Sequence, residues 1–499
     1  MSKENLKDIF SNLAFSKIKE PVFSEKTFVI TQYGAVGDGM HNNTAAINKA
    51  IEECSASGGG IVLIPGGIWL TGPITLKSRV NLHLDAGALV TFSKSYDDYP
   101  LIISNYEGLE TVRHTSPISG RDLENVAITG SGVFDGSGEA WRPVKREKLT
   151  ASQWEKLIGS DGYVHEDRYW YPTLNSFEGV EFYNKVKGKS LSIEECKQYS
   201  GFLRPNLLSL ISCKNVLLDG PTFQNSPAWC LHPLYCENII IRNVFVKNPW
   251  FSQNGDGLDL EACKNAHIYN SKFDVGDDGI CIKSGKNAEG RLVGKPCENV
   301  VVEKCTVYHG HGGFVIGSEM SGGVKNIYVN DCLFLGTDVG LRFKSCRGRG
   351  GVVENIYIEN VKMKDIPKEA IIFSTIYELK KGTEDIPVPV SEETPEFKNF
   401  YLKDIYCAGA ETAISICGLA EMPVKNIHMD NVHISSKIGL QCTNAREIHI
   451  NNLNLKAESD VLMSFHNSAD VEIENIKNLG SSKELFKVTG DKAKNIKCI

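Results

Sequence analysis

Seven side chains of useful chemistry stand between positions 254 and 344, in otherwise apolar, strand-like sequence: Asn254, Asp256, Asp277, Asp278, His311, Arg342 and Lys344. From Asp256 the steps to Asp277, His311 and Arg342 are 21, 34 and 31 positions. Carboxyl groups brought close together hold their protons differently, because like charges raise at least one pKa; one can then serve as a general acid beside an ionised base. Asp-Gly and Gly-Asp are also ordinary turn pairs, so a single such island would say little. His311 lies between Gly310 and Gly312, which let another group approach closely. Arg342 and Lys344 are two apart, so in a strand they leave one face, where an Arg fork and a Lys point charge can hold a carboxylate.

For these residues to meet, the chain must stack. A charged residue, Asn and a β-rich apolar run recur along the sequence, as in Lys214-Asn215-Val216-Leu217-Leu218, Glu298-Asn299-Val300-Val301-Val302 and Glu354-Asn355-Ile356-Tyr357-Ile358. Further copies are centred on Asn125, Asn238, Asn265, Asn326, Asn399 and Asn426, with weaker ones starting at Arg446 and Asp470. Such a period marks coils that cannot bury their apolar face alone. Equivalent positions on adjacent coils lie about 4.8 Å apart, so the 21-residue step from Asp256 to Asp277 predicts that Asp256, Asp277 and Asp278 share a patch. The Asn should recur at one corner, its amide bonding the coils on either side, and Cys305 and Cys332, each six residues past an Asn, should stack as well.

The chain ahead of these coils fits the same scheme. Residues 1–27 read as a polar leader and 28–499 as one all-β domain, opened by a helix from Thr44 whose Ala46, Ile47, Ala50, Ile51 and Cys54 recur at helical spacing until Gly58-Gly59-Gly60. That helix would cap one end of the stack. Short β-rich runs follow at Ile61–Ile64, Ile74–Leu76, Val80–Leu84 and Ala88–Val90. Two long interruptions, about 135–204 and 364–396, break the period, and loops of that length inside a regular stack usually carry function.

Composition excludes several classes. A net charge of −7 without any basic block argues against nucleic acid, and no apolar run is long enough to span a membrane. Fifteen cysteines without tight CxxC pairs suggest buried thiols in a reducing compartment, and Cys305, His309 and His311 match no common zinc spacing. No metal or other cofactor is expected. The opening Met1-Ser2-Lys3-Glu4-Asn5-Leu6 lacks the pattern of a secretory signal, which reads as cytoplasmic, or as secreted or periplasmic if a signal has been removed.

Taken together, Asn254-Gly255-Asp256, Gly276-Asp277-Asp278, Gly310-His311-Gly312 and Arg342-Phe343-Lys344 resemble the four signature motifs of the polygalacturonases, glycoside hydrolase family 28. The resemblance extends to Tyr33-Gly34-Ala35-Val36-Gly37-Asp38-Gly39 and Leu70-Thr71-Gly72 and covers most of residues 28–450, while the long insertions resemble those of bacterial exo-acting members. Gly255 stands where Thr is common and Phe343 where Ile is common. The resemblance implies a right-handed parallel β-helix that hydrolyses α-1,4-galacturonosyl bonds of a pectic oligo- or polysaccharide with inversion. Asp277 would be the general acid, Asp256 and Asp278 would activate water, His311 would tune the acid, and Asn254, Arg342 and Lys344 would bind the sugar. A hydrolase directed at rhamnogalacturonan or xylogalacturonan, a β-helical pectate lyase using Ca²⁺, and a non-catalytic carbohydrate-binding β-helix stay open as alternatives. The insertion 135–204, with Trp141, Trp154 and Trp170 and the cations Lys145, Arg146, Arg168 and Lys185, is expected to wall off one end of the cleft and give exo attack.

Overall fold

The computed structural model of the protein describes residues 18–499, apart from 187, 188, 190, 381, 382 and 384. The first seventeen residues of the expected leader lie outside the described residues. The described chain forms two compact units, Ile18–Asp259 with Lys272–Asp277, and Leu260–Ser271 with Asp278–Ile499. The fold class is the right-handed parallel β-helix.

In the N-terminal unit three columns of parallel strands build each coil. One column runs Thr27–Val29, Gly60–Ile64, Val80–Leu84, Glu124–Gly130, Lys214–Asp219 and Glu237–Arg242. A second runs from Gly67–Thr71 through Ala88–Phe92, Val133–Asp135, Thr222–Gln224 and Phe245–Lys247 to Lys272–Asp274. A third takes Ile74–Thr75, Ile118–Arg121, Leu208–Ile211 and Leu231–Leu234. Alternate residues point inward, and the inward rings Phe92, Phe134 and Phe223 stack on successive coils, with centroids 6.3 and 5.5 Å apart. The helix Thr44–Ala56 begins at the expected residue and buries the five apolar side chains that its spacing picked out.

The C-terminal unit repeats the scheme with longer strands. Cys297–Glu303 pairs with Val324–Asn330, and from Val352 onward single strands such as Val352–Ser374 and Glu396–Cys417 run through a whole coil. Lys364 pairs with Ala408 inside that ladder, so the second excursion leaves the stack after Ser374 rather than at 364.

The asparagine corner has a conformational cause. Every repeat Asn sits in the left-handed backbone region, with φ near +54 to +60° at Asn125, Asn215, Asn299, Asn326 and Asn399. Asn tolerates that region better than most residues, and its amide can bond along the stack. Asn299 donates to Asn265 at 3.1 Å, Asn326 to Asn299 at 3.1 Å and Asn355 to Asn326 at 3.2 Å. Asn215 and Asn238 form the same ladder in the N-terminal unit, where Asn215 donates to Asn125. A second ladder escaped the sequence reading: Asn360 donates to Asp331 at 3.1 Å, at the next corner of the coil. None of the fifteen cysteines is in a disulfide, and all but Cys417 and Cys498 are buried. Cys305 and Cys332 occupy successive coils, and burial drives the Cys305 thiol far above its ordinary value.

The insertion after Asp135 is not part of the stack. It folds as a three-stranded antiparallel sheet, Val144–Lys145, Tyr163–His165 and Tyr169–Tyr171, with helices Ala151–Ile158 and Leu174–Val186. Its core is Val144, Trp154 and Trp170. An antiparallel hairpin that the sequence reading did not foresee, Leu101–Tyr106 with Leu109–His114, packs Val112 against Cys196 and Leu203 at the far end of the insertion.

Candidate active site

The loop from Pro249 to Gly257 carries Asn254 and Asp256 in the N-terminal unit. Its shape is set from beneath. The amide of buried Asn248 donates to the Gly255 carbonyl at 3.1 Å, while Cys230 and Leu231 donate their backbone N–H groups to the carbonyls of Asp256 and Gly257. Arg204 pins the loop from the side, donating to the Pro227 and Gln253 carbonyls at 3.0 and 2.9 Å and to Asn254 Oδ1 at 2.8 Å. Asn254 is itself left-handed, with φ +52°. A Cβ at Gly255 would overlap the Ser252 hydroxyl, which explains the glycine where the family commonly has Thr.

Asp256 is only 3% exposed, and Asp277 is half-buried. Their carboxylates lie within 4.8 Å of each other, so the coil-length step between them does bring them together. Oxygen donors so grouped also suit Ca²⁺ chemically, which makes chelation a useful discriminating test. Beside Asp256 in charge terms stands Tyr106, from the unforeseen hairpin; its phenol is pushed up to about 12, first by burial. The Arg113 guanidinium lies 3.8 Å from the centre of the Tyr106 ring. Trp250, two residues before Ser252 on this same loop, is 46% exposed and presents an aromatic face that the sequence reading missed.

In the C-terminal unit Asp278 opens the strand Asp278–Lys283 and is 1% exposed. Gly312 is its register partner on the next coil. Lys344 donates to Asp278 Oδ2 at 2.7 Å and Arg342 to Oδ1 at 3.2 Å. Burial works against the Asp278 charge, but Lys344, Arg342 and Lys283 outweigh it and hold the carboxyl well below the usual range. The Lys344 ammonium is correspondingly raised, Asp278 overcoming the cost of burial. A Cβ on Gly312 would come 3.3 Å from Asp278 Oδ1 and 3.4 Å from Arg342 Cδ, so the small residue keeps that contact open.

His311 is one-third exposed and faces Asp338 across 4.0 Å; Asp338 in turn pairs with Lys368 at 3.3 Å. Asp338 belongs to no sequence motif; only its place one coil beyond His311 could have pointed to it. Cys305, His309 and His311 do not come together as a metal-type cluster among the described residues. Tyr377, in the second excursion, places its ring 5.6 Å from the Arg342 guanidinium and 5.3 Å from the Lys344 ammonium. The N-terminal unit thus offers a close carboxyl pair, and the C-terminal unit a carboxylate kept ionised by two cations with an aromatic ring over those cations.

Two of the four cations expected in the insertion have partners within it: Arg146 pairs with Asp167, and Arg168 faces Glu147 at 3.7 Å. Trp141, Trp154 and Trp170 are buried, so they stiffen the insertion and leave no face for a sugar.

Residues 183–449 match the family described as glycosyl hydrolases family 28, and residues 28–106 match rhamnogalacturonase A/epimerase, pectate lyase-like. The chain is 30% identical to an exo-poly-alpha-D-galacturonosidase of Dickeya chrysanthemi over 79% of its length and 64% of that protein. It is 27% identical to a probable polygalacturonase of Vitis vinifera, over 84% of this chain and 77% of that one. Among solved structures, a hyperthermoactive exopolygalacturonase from Thermotoga maritima aligns with a TM-score of 0.73 at 32% identity, covering 92% of this chain and 96% of that one.

Proposed function

The chain belongs to the glycosyl hydrolases of family 28, and from that premise we propose that it hydrolyses α-1,4-galacturonosyl bonds of pectic chains, releasing short products from one end. The observation that carries this reading is the pair Asp256 and Asp277, whose carboxylates lie within 4.8 Å. Two carboxyl groups that close favour keeping one proton between them, which is what protonation of a leaving glycosidic oxygen requires. Asp277, the more exposed of the two, is the donor in this mechanism. Asp256 and the ionised Asp278, next in the chain, hold and deprotonate the water. His311 adjusts the charge around the acid, and Asn254, Arg342 and Lys344 set the sugar, with Lys344 acting mainly through Asp278 because it is nearly buried against it.

The carboxylates are closer than the roughly 6.5–9.5 Å usual for inverting pairs. Inversion requires the water to reach the anomeric carbon from the face opposite the leaving oxygen that Asp277 protonates, whatever the carboxyl spacing. Proton NMR of the first-formed product reads this: the β-anomer appears first under inversion, the α-anomer under retention.

End-wise attack is supported by the folded insertion and hairpin of the N-terminal unit, and by the exo-acting Dickeya and Thermotoga relatives. The test is product analysis on galacturonate oligomers of defined length. The proposal expects mono- or digalacturonate as the first product from every oligomer; cleavage of neutral pectic chains in preference to galacturonate would overturn the substrate assignment.

A further inference from the structure

A chain of alternating charges in the C-terminal unit leads from the reacting carboxylate to the second excursion. Lys283, which helps hold Asp278 ionised, is buried and donates to Glu319 at 2.8 Å. Glu319 accepts from Ser318 Oγ at 3.0 Å and faces Arg349 at 4.0 Å. Arg349, itself 3% exposed, reaches outward to Glu378 at 3.1 Å and also to Asn287. Glu378 adjoins Tyr377, whose N–H donates to the Ser345 carbonyl at 3.0 Å and whose ring lies over Arg342 and Lys344. The links therefore converge: one end of the charge chain acts electrostatically on Asp278, and the other fixes the residue beside the ring above its cations.

We propose that Arg349 and Glu378 are positioning residues, a latch that seats Tyr377 across the Arg342–Lys344 pair and so shapes the seat for the sugar carboxylate. The inference rests on the galacturonan reading above. Arg349 is rigid, buried and held by several partners, so it supplies a fixed anchor, whereas Glu378 is half-exposed and belongs to the excursion it ties down. An aromatic ring over a cation limits where a carboxylate can approach that cation and excludes water from its other face. Without the latch the seat still exists, but the ring no longer fills one place, and substrate must order it on binding.

Arg349 is too deeply engaged to be the first variant; Glu378→Gln removes the charge at the outer, solvent-screened end with little change of shape. The pair is solvent-screened at its Glu378 end, so KM on trigalacturonate should rise about three- to fivefold, with kcat unchanged within twofold. The same substitution made on Tyr377→Ala should add nothing, because the ring it positions is gone. Amide hydrogen exchange at Tyr377 should quicken in Glu378→Gln while exchange in the Leu341–Lys344 strand stays as it was. An unchanged KM and Tyr377 exchange rate, or an equal KM effect in the Tyr377→Ala background, would overturn the latch. Should the unaltered chain fail to hydrolyse galacturonate, the function proposed above falls, and the exchange measurement still decides the latch.

Discussion

The coils of the C-terminal unit and the insertion after Asp135 solve the same problem, burying apolar surface, in opposite ways. In the coils each strand buries its inward residues against copies of itself, as the column from Ile327 through Ile356 and Phe400 to Ile427 shows. One contact pattern repeats, and a residue's place follows from its distance to the nearest Asn. In the insertion Trp154 packs once against Val144 and Trp170, and Thr150 caps its helix through a reciprocal box with Gln153. A repeat supplies precise register and so suits chemistry, whereas a singular loop supplies shape and so suits the choice of where a polymer binds.

The largest effect is expected at the chemistry itself. Asp277→Asn keeps the shape of the side chain and removes its proton, so kcat should fall by about 10²–10⁴. The melting temperature should hold; a variant with near-normal turnover would show that register has not placed the acid there.

Next in size is the buried ion pair. Lys344→Ala leaves Asp278 charged and poorly compensated, and should cost about 3–5 kcal/mol of stability in denaturant titration. The pH dependence follows from the sign of the shift. Since Asp278 is held below its ordinary 3.8, its contribution is full above that pH and is lost as the pH falls toward the lowered value. In Lys344→Ala the folded-state value moves up toward the ordinary one, so the loss on acidification should be smaller and complete at a higher pH, measured as melting temperature against pH. An unchanged profile would mean that Arg342 and Lys283 suffice.

A corner asparagine should follow. Asn326→Ala forces an Ala into the left-handed region and removes ladder bonds on both sides, for a loss of about 2–3 kcal/mol. Asn326→Gly relieves the backbone cost and should lose about half as much. Equal losses in the two variants would assign the corner to hydrogen bonding alone. The smallest effect belongs to the singular loop: Trp250→Ala should raise KM on oligogalacturonates by two- to tenfold through lost stacking, and leave kcat and stability alone. Loss of stability instead would make Trp250 part of the scaffold.

These contrasts explain which parts of the molecule could be read from residues alone. Asn215, Asn299 and Asn355 announce the stack because the left-handed corner and the amide ladder both demand Asn, and the demand recurs every coil. Asp256 and Asp277 could be brought together in thought because their separation equals a coil. Tyr106, Arg113 and Trp250 carry no such ruler. They reach their places through a hairpin and a loop whose packing partners, Trp229 for Tyr106 and Phe251 for Trp250, are met once in the chain. The same reason hid the engagement of Arg146 with Asp167: a cation in a singular fold finds its partner by tertiary packing, which no period encodes.

On the reading proposed above, register performs the cleavage and the singular elements confine it to a chain end. Early digestion of polygalacturonate, followed at once by viscosity and by product size, tests both halves together. Mono- or digalacturonate should be the sole early product, with viscosity falling slowly relative to the release of reducing ends. A rapid fall in viscosity with a ladder of mid-sized oligomers would contradict it.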